Sequence, residues 1–512
     1  MSQLLLLYRV HDFPRCGRRN SHAFPHLWGD KYLPGPAPGT LSILVPTSLI
    51  EVSITVISRR GVLKAGAYAT GLCLAPVRSA VPSPLALPAV DDLRGELLVE
   101  RSGLRGLATV EHLGASDQGR GIDLISVGKG PRSALIVGAP HPNEPIGCLT
   151  IVRMLRRLGS DRRLRDASGY RWHFIPAIDM DGLALNEGWF HRPLTLANYC
   201  RDFYRPAFNR QPEYSFPIKL PGYEFSASTL ENLRWQRALE LTRPDLQCSL
   251  HGADAGGSFY IISENRAGLG TALAREPERH GVSLNAIGEP FAEMEPFQPG
   301  VSSFPDIRQT VTHSIATGKD PEVVWGAGDS SAGFSTSRYG TFNMVCEVPL
   351  WEDARQRDPR PSSLTMRDVL DEQIAQLRED EQILSRAMPA LRGRAASFEA
   401  VALTAALEEA HVRSQSQPAA LEEIKSSNTN NVKLSTAELV EYQSGSEGMR
   451  APAMLARLAR ICHDSVIEAS AGQVLGRRMS AQLRRAALTP IPLQATTALQ
   501  MDSILACARL LT

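Results

Sequence analysis

The stretch GAPHPNEPIG, residues 138 to 147, sets His141 and Glu144 three positions apart, directly after the apolar run SALIV at 133 to 137. An imidazole and a carboxylate are two of the three protein ligands that a catalytic zinc ion takes, with the fourth position left open for water. The spacing alone is weak, because glutamate is common enough to give one chance match in a chain of 512 residues. Position adds what spacing lacks: His141 falls just past the end of a buried strand, where open α/β sheets place their ligands. Pro145 pushes the Glu144 backbone out of the helical region and suits the first position of the helix that follows, so both side chains can turn toward one point.

A third ligand is expected at the end of another strand, and LQCSLHGADAGG supplies His251 there, with Gly252, Ala253, Gly256 and Gly257 leaving room around it. His173 lies inside an apolar strand and reads as a core histidine, while His191, His280 and His313 fall in loops. Hydrolytic chemistry at such a centre needs a general base, and Glu347 closes the apolar run TFNMVCE before Val-Pro. Its plain alternative is a strand-end carboxylate meeting solvent or a nearby arginine. The pair Asp179 and Asp181 reads as a turn held by aspartate side chains rather than as a second metal site.

The elements that must position these residues follow from the alternation of short apolar runs and longer amphipathic stretches from about residue 90, the pattern of an α/β protein. Residues 133–139, 172–178, 246–250 and 341–347 read as buried strands, and 145–158 as a helix with Ile146, Leu149, Val152 and Leu155 on one face. The Gly-, Pro- and Ser-rich stretch 262–340 is expected to be long loops with little regular structure. After Pro361 the pattern turns helical, with Met366, Leu370, Ile374, Leu377, Leu384 and Met388 on one face, a linker at 426–431 and a second helical group from about 435. That second group is expected to be a packing or capping element without chemistry.

HPNE after a strand, IDMDG after the next, SLHG and then YGTFNMVCEVP occur in the order seen in the zinc carboxypeptidase superfamily, which this chain resembles over about residues 130–352. The resemblance implies a mixed central sheet flanked by helices, here with an additional helical C-terminal region. It implies one zinc ion on His141, Glu144 and His251, and cleavage of a C-terminal peptide bond by metal-activated water with Glu347 as general base. It also implies that Asn209 and Arg210 hold the substrate carboxylate, with Arg205 next in line and Arg192 nearby. The resemblance offers Tyr339 as the counterpart of the family's tyrosine, at an offset from Glu347 much shorter than usual, and no role is assigned to it. HPNE in place of an arginine-containing loop, and IDMDG in place of an Asn-Pro-Asp-Gly turn, leave the substrate open. A deacylase or amidase of N-acyl amino acids or murein peptides, and a non-catalytic binding protein on the same fold, are the alternatives.

Fifty-five basic against 54 acidic residues give no electrostatic reason to expect nucleic acid or an anionic membrane as the main partner and leave small neutral or mixed-charge ligands as the default; the resemblance implies a peptide or N-acyl amino acid substrate. Ser58, Arg59, Arg60, Leu63 and Lys64, followed by a weakly apolar tract, resemble a bacterial twin-arginine export signal, so residues 58–85 are read as a signal segment and the protein as exported, periplasmic or extracellular. Residues 1–57 are read as an over-extended N-terminus, since their stretch at 40–57 is broken by Pro46 and Glu51 and marginal as a membrane span. That leaves 90–395 as the catalytic domain, 396–512 as a helical accessory region, and no integral membrane domain in the mature protein. Eight cysteines include no C-x-x-C pair; export makes disulfides possible without saying which.

Overall fold

In the computed structural model, residues 86–288, 294–426, 431–443 and 445–511 are described. The twin-arginine segment and everything before it lie outside the described residues, as do 427–430 of the expected linker.

Ten strands form one mixed sheet. In chain order they are β1 (Ala108–Ala115), β2 (Gly121–Val127), β3 (Arg132–Gly138), β4 (Tyr170–Ile175), β5 (Leu246–Ala255), β6 (Phe259–Ile262), β7 (Pro296–Gln298), β8 (Val301–Ser303), β9 (Phe342–Glu352) and β10 (Thr489–Pro490). Their spatial order is β1-β2-β4-β3-β5-β9-β6-β8-β7, with β10 paired to the end of β9. The central strands β4, β3, β5 and β9 run parallel, and the flanking pairs β2/β4 and β9/β6 run antiparallel. All four strands expected from sequence are present, and the central ones are buried on both faces, as parallel strands covered by helices must be.

The helices used below are α1 (Ile146–Ser160), α2 (Met180–Phe190), α3 (Leu230–Thr242), α4 (Leu269–Arg279), α5 (Ile307–Ala316), α6 (Ser331–Tyr339), α7 (Met366–Leu391), α8 (Phe398–Lys425), α9 (Thr436–Gln443), α10 (Glu447–Ile461), α11 (Ser465–Arg485) and α12 (Leu493–Leu510). Helix α1 begins one residue later than its pattern suggested, with Pro145 as its N-cap. The stretch 262–340 departs from expectation: it holds α4, α5 and α6 as well as short strands. Its Asp and Ser residues serve as N-caps rather than as loop formers, since Asp306 accepts the Gln309 N–H at 3.1 Å and Ser330 accepts the Gly333 N–H at 3.0 Å.

Residues 90–395 and 396–511 share one hydrophobic core. Helix α12 returns to the sheet and packs beside α1 and α4, burying Leu499, Ile504 and Cys507 completely. Its Gln500 accepts from Thr150 Oγ1 at 2.7 Å and donates to the carbonyls of His251 at 2.8 Å and Cys346 at 3.1 Å. Replacing Gln500 with leucine leaves three buried polar groups short of a partner, which is expected to cost about 3 kcal/mol. Urea unfolding at fixed metal load measures this; an unchanged midpoint would rule out the role assigned to Gln500. Cys148, Cys200, Cys248, Cys346, Cys462 and Cys507 are all buried and free, so none of these six forms a disulfide. Among the described residues no helix is long and apolar enough to cross a membrane.

Candidate metal centre

Strand register brings the expected site residues to one level of the sheet. Gly138 of β3 pairs with Leu250 of β5, so His251 stands at the end of β3, and Glu347 of β9 pairs with His251. Beyond β3 the buried Ala139 takes φ 47°, a left-handed conformation that costs a residue with a Cβ and turns the chain into the His141 loop. The Glu144 N–H then donates to the His141 carbonyl at 3.1 Å, closing a turn ahead of α1.

Within this turn His141 Nδ1 lies 3.1 Å from each Glu144 carboxylate oxygen, and His251 Nδ1 lies 3.3 Å from Glu144 Oε2. The imidazole rings are 4.7 Å apart at 71°, and one donor atom from each of the three residues falls within 4.8 Å of the others. All three are buried. His251 Nδ1 makes no hydrogen bond among the described residues, although it is enclosed beside a carboxylate. A buried ring nitrogen without a hydrogen-bond partner, next to a carboxylate and a second imidazole, fits the His2Glu donor set that takes a zinc ion once the ring is neutral.

The other nitrogen of His251 is fixed from behind. Nε2 lies 3.1 Å from Ser249 Oγ, whose hydroxyl donates to Glu213 Oε2 at 2.9 Å. Ser249 therefore has only its acceptor side left for His251, which places the ring proton on Nε2 and the lone pair on Nδ1. Ser331 donates to the second oxygen of Glu213, and Gln247, two residues before Ser249, accepts from Trp235 of α3 at 3.0 Å and donates to Asn343 at 2.8 Å. Sequence reasoning missed Glu213. Gln247, Ser249 and His251, three polar residues at period two on one face of a strand whose other face is Leu246, Cys248 and Leu250, do signal a polar network behind His251, but not that Glu213 completes it.

Burial and the neighbouring carboxylates set the two imidazoles apart in charge. It holds His141 well below the ordinary histidine value, with Arg205 adding to the effect. For His251, burial also opposes protonation, but the carboxylates of Glu144, Glu213 and Glu347 outweigh it and raise the group to about 10. Glu144 stays ionised against its own burial because His141, His251 and Arg205 surround it, Arg205 Nη1 lying 2.9 Å from Oε1. Glu347 Oε1 is 3.7 Å from His251 Nδ1, and its side chain retains 12% exposure on the wall of the cleft.

The structure thus gathers His141, Glu144, His251, Glu347 and Arg205. It does not gather Asn209 and Arg210, which sit exposed on the turn Phe208–Arg210 while Phe208 takes the inward position. Arg192 faces Asp202 at 3.7 Å, and Tyr339 ends α6 ahead of β9 without lining the cleft. Asp179 caps α2 through the Gly182 N–H at 2.8 Å, and Asp181 accepts from Ser116, Gln118 and Arg120, so both aspartates are committed to local structure. His173 is buried on Ser126 Oγ at 2.7 Å, as a core histidine should be.

The cleft over the centre has a volume of about 150 Å³, and its far wall comes from the C-terminal region through Glu441, Tyr442, Glu447 and Arg450. The expectation that this region only packs is therefore too narrow. Glu441 accepts from the Gly257 N–H at 3.1 Å and from Gln356 at 3.0 Å, and its burial pushes the carboxyl up to about 7.

No family model and no curated protein matches the chain. Among solved structures it is similar to a metallo-carboxypeptidase from Burkholderia cenocepacia, at 14% identity and TM-score 0.31 over 49% of this chain and 58% of that one. It is also similar to the carboxypeptidase A from Helicoverpa armigera, at 14% identity and TM-score 0.33 over 51% and 63%. Bovine thrombin-activatable fibrinolysis inhibitor gives 12% identity and TM-score 0.31 over 51% and 86%.

Proposed function

We propose that the chain is a zinc-dependent hydrolase that cleaves the C-terminal peptide bond of its substrate. The observation that carries this reading is the buried trio His141, Glu144 and His251, with both Nδ1 atoms turned toward one carboxylate and Glu347 standing beside it on the cleft wall. Zinc held by these three residues would polarise the scissile carbonyl and lower the pKa of a bound water to about 7.

The remaining work falls to side chains of this chain. Glu347 would take a proton from the attacking water and hand it to the leaving amine, a role that needs a carboxylate near the ligands and on the cleft wall. Arg205 lies at the cleft with its guanidinium on Glu144 and is the cation best placed to hold a substrate carboxylate. Ser249 and Glu213 keep the His251 ring in the binding tautomer. Export through the twin-arginine route, to the periplasm or beyond, belongs to the same proposal and rests on Arg59 and Arg60 in their sequence context.

The test is zinc quantitation on purified protein joined to a screen of C-terminally free peptides, N-acyl amino acids and murein fragments. The expected result is about one zinc per chain and release of C-terminal amino acids that a chelator abolishes. Protein that stays metal-free after dialysis against zinc would sink the reading. Turnover confined to N-acyl amino acids would move it to a deacylase, and turnover confined to murein fragments to an amidase.

A further inference from the structure

Away from the metal centre, a second set of three donor residues comes together: Glu276, His280 and Asp502, with one donor atom from each within 4.8 Å of the others. Glu276 lies in the last turn of α4 and His280 is the C-cap of that helix, four positions on and on the same face. Asp502 closes on them from α12, which packs beside α4. The histidine expected in a loop thus sits at a helix end, against a second helix.

The geometry differs from that of a plain ion pair. His280 Nε2 lies 3.1 Å from Asp502 Oδ2 and 4.0 Å from Glu276 Oε2, yet this buried nitrogen makes no hydrogen bond among the described residues. Since 3.1 Å is within hydrogen-bond reach, the contact with Asp502 fails on direction: the axis of the ring nitrogen misses the oxygen. A protonated ring would turn that axis onto a carboxylate, whereas a metal ion takes the axis for itself and holds the carboxylates to either side. Two ligand atoms placed tetrahedrally about zinc at ~2.1 Å are about 3.4 Å apart, and the two contacts bracket that value.

The charges around the trio also favour a cation. The Glu276 side chain is 4% exposed, and Arg279 holds its Oε1 at 2.8 Å, which leaves Oε2 toward His280. Asp502 brings a second carboxylate within 4.8 Å of the first, at the carbonyl end of α4, where the partial charge of the helix is negative.

We propose that Glu276, His280 and Asp502 form a second zinc site, structural rather than catalytic, that fastens α12 to α4. An imidazole with two carboxylates suits zinc, while calcium and magnesium take shells of oxygen. Water competes for the ion, because the side chains of His280 and Asp502 are 17% and 42% exposed. The site therefore fills at added zinc, whereas the protein as purified carries the ion at His141. Asp502 stands two residues after Gln500, whose amide holds the His251 carbonyl, so the fastening supports the metal centre from behind. The site does not depend on the hydrolase reading.

The experiment takes the full-length protein already loaded with one zinc per chain and follows further uptake in a calorimeter as free zinc is raised to about 100 µM, beside thermal unfolding over the same range. Wild type is expected to bind one more ion and to unfold at a higher temperature as zinc rises. His280→Gln and Asp502→Asn should each weaken this second uptake by more than about tenfold and flatten the rise in the unfolding midpoint, while the first zinc stays. The two substitutions lie in different parts of the chain, so a folding defect in one leaves the other to decide. No further uptake by wild type overturns the site and leaves the trio an ion-pair cluster. A second ion held as tightly by both variants as by wild type overturns it as well, since that ion sits elsewhere.

Discussion

Glu347→Gln is expected to lower kcat/KM by about 10³-fold, within the range that general acid–base catalysis contributes, while zinc content stays at the wild-type level. The separation of the two readouts follows from where the residue stands. Glu347 pairs with His251 in the β5/β9 register and approaches its Nδ1 to 3.7 Å, yet the compact donor set is complete without it. Glutamine keeps the size of the side chain and its capacity to hydrogen-bond, and removes its charge and its ability to take a proton. Kinetics on the peptide found in the substrate screen, beside elemental analysis of the same preparation, give both numbers. Turnover within tenfold of wild type would take Glu347 out of the mechanism. Glu441, whose buried carboxyl is raised to about 7 in the same cleft, would then be the carboxylate to replace next.

How far the site could be read from sequence depended on how local each signal was. His141 and Glu144 were legible because strand, turn, proline and helix follow one another within fifteen residues of chain, and each boundary has its own chemical cause. His251 and Glu347 were legible as polar residues at the ends of apolar runs; the parallel register that sets them side by side is consistent with that reading but is a property of the sheet. Glu213 was not legible, because it lies in a turn 36 residues before the Ser249 hydroxyl it accepts from. Asn209 and Arg210 drew attention in the same segment by residue type, yet the turn there buries Phe208 and leaves them in solvent. The C-terminal region shows the limit most clearly. Its helical periodicity gave the helices but not their destination, since Gln500 reaches the His251 carbonyl across 249 positions of chain and Glu441 reaches the Gly257 amide across 184. Amphipathic patterning specifies a face to bury and carries no information about the partner.

His251→Ala is expected to weaken zinc binding by more than about 100-fold, beyond the 10- to 100-fold that losing a hydrogen-bond partner of a metal ligand typically costs. Glu213→Gln, which leaves the ligand set intact and disturbs only what holds His251, should fall inside that smaller range. Competition against a chromophoric chelator measures both, and equal affinities for wild type and His251→Ala would remove His251 from the site. Protons supply an independent check. The folded value of about 10 for His251 lies above an unfolded value of about 6.5, so its imidazolium stabilises the metal-free fold fully below pH 6.5 and that contribution is lost as pH rises through about 10. Zinc needs the neutral ring, so uptake near pH 7.5 should expel one proton from His251, and affinity should climb with pH toward about 10. His141, held low by burial, is already neutral there and contributes none. A weakly buffered solution with an indicator dye counts the release. Release greater by about one proton in wild type than in His251→Ala at a saturating zinc concentration, over and above what a zinc-bound water loses in both, would tie the ligand to the titrating ring; equal release in both would assign the proton to another group.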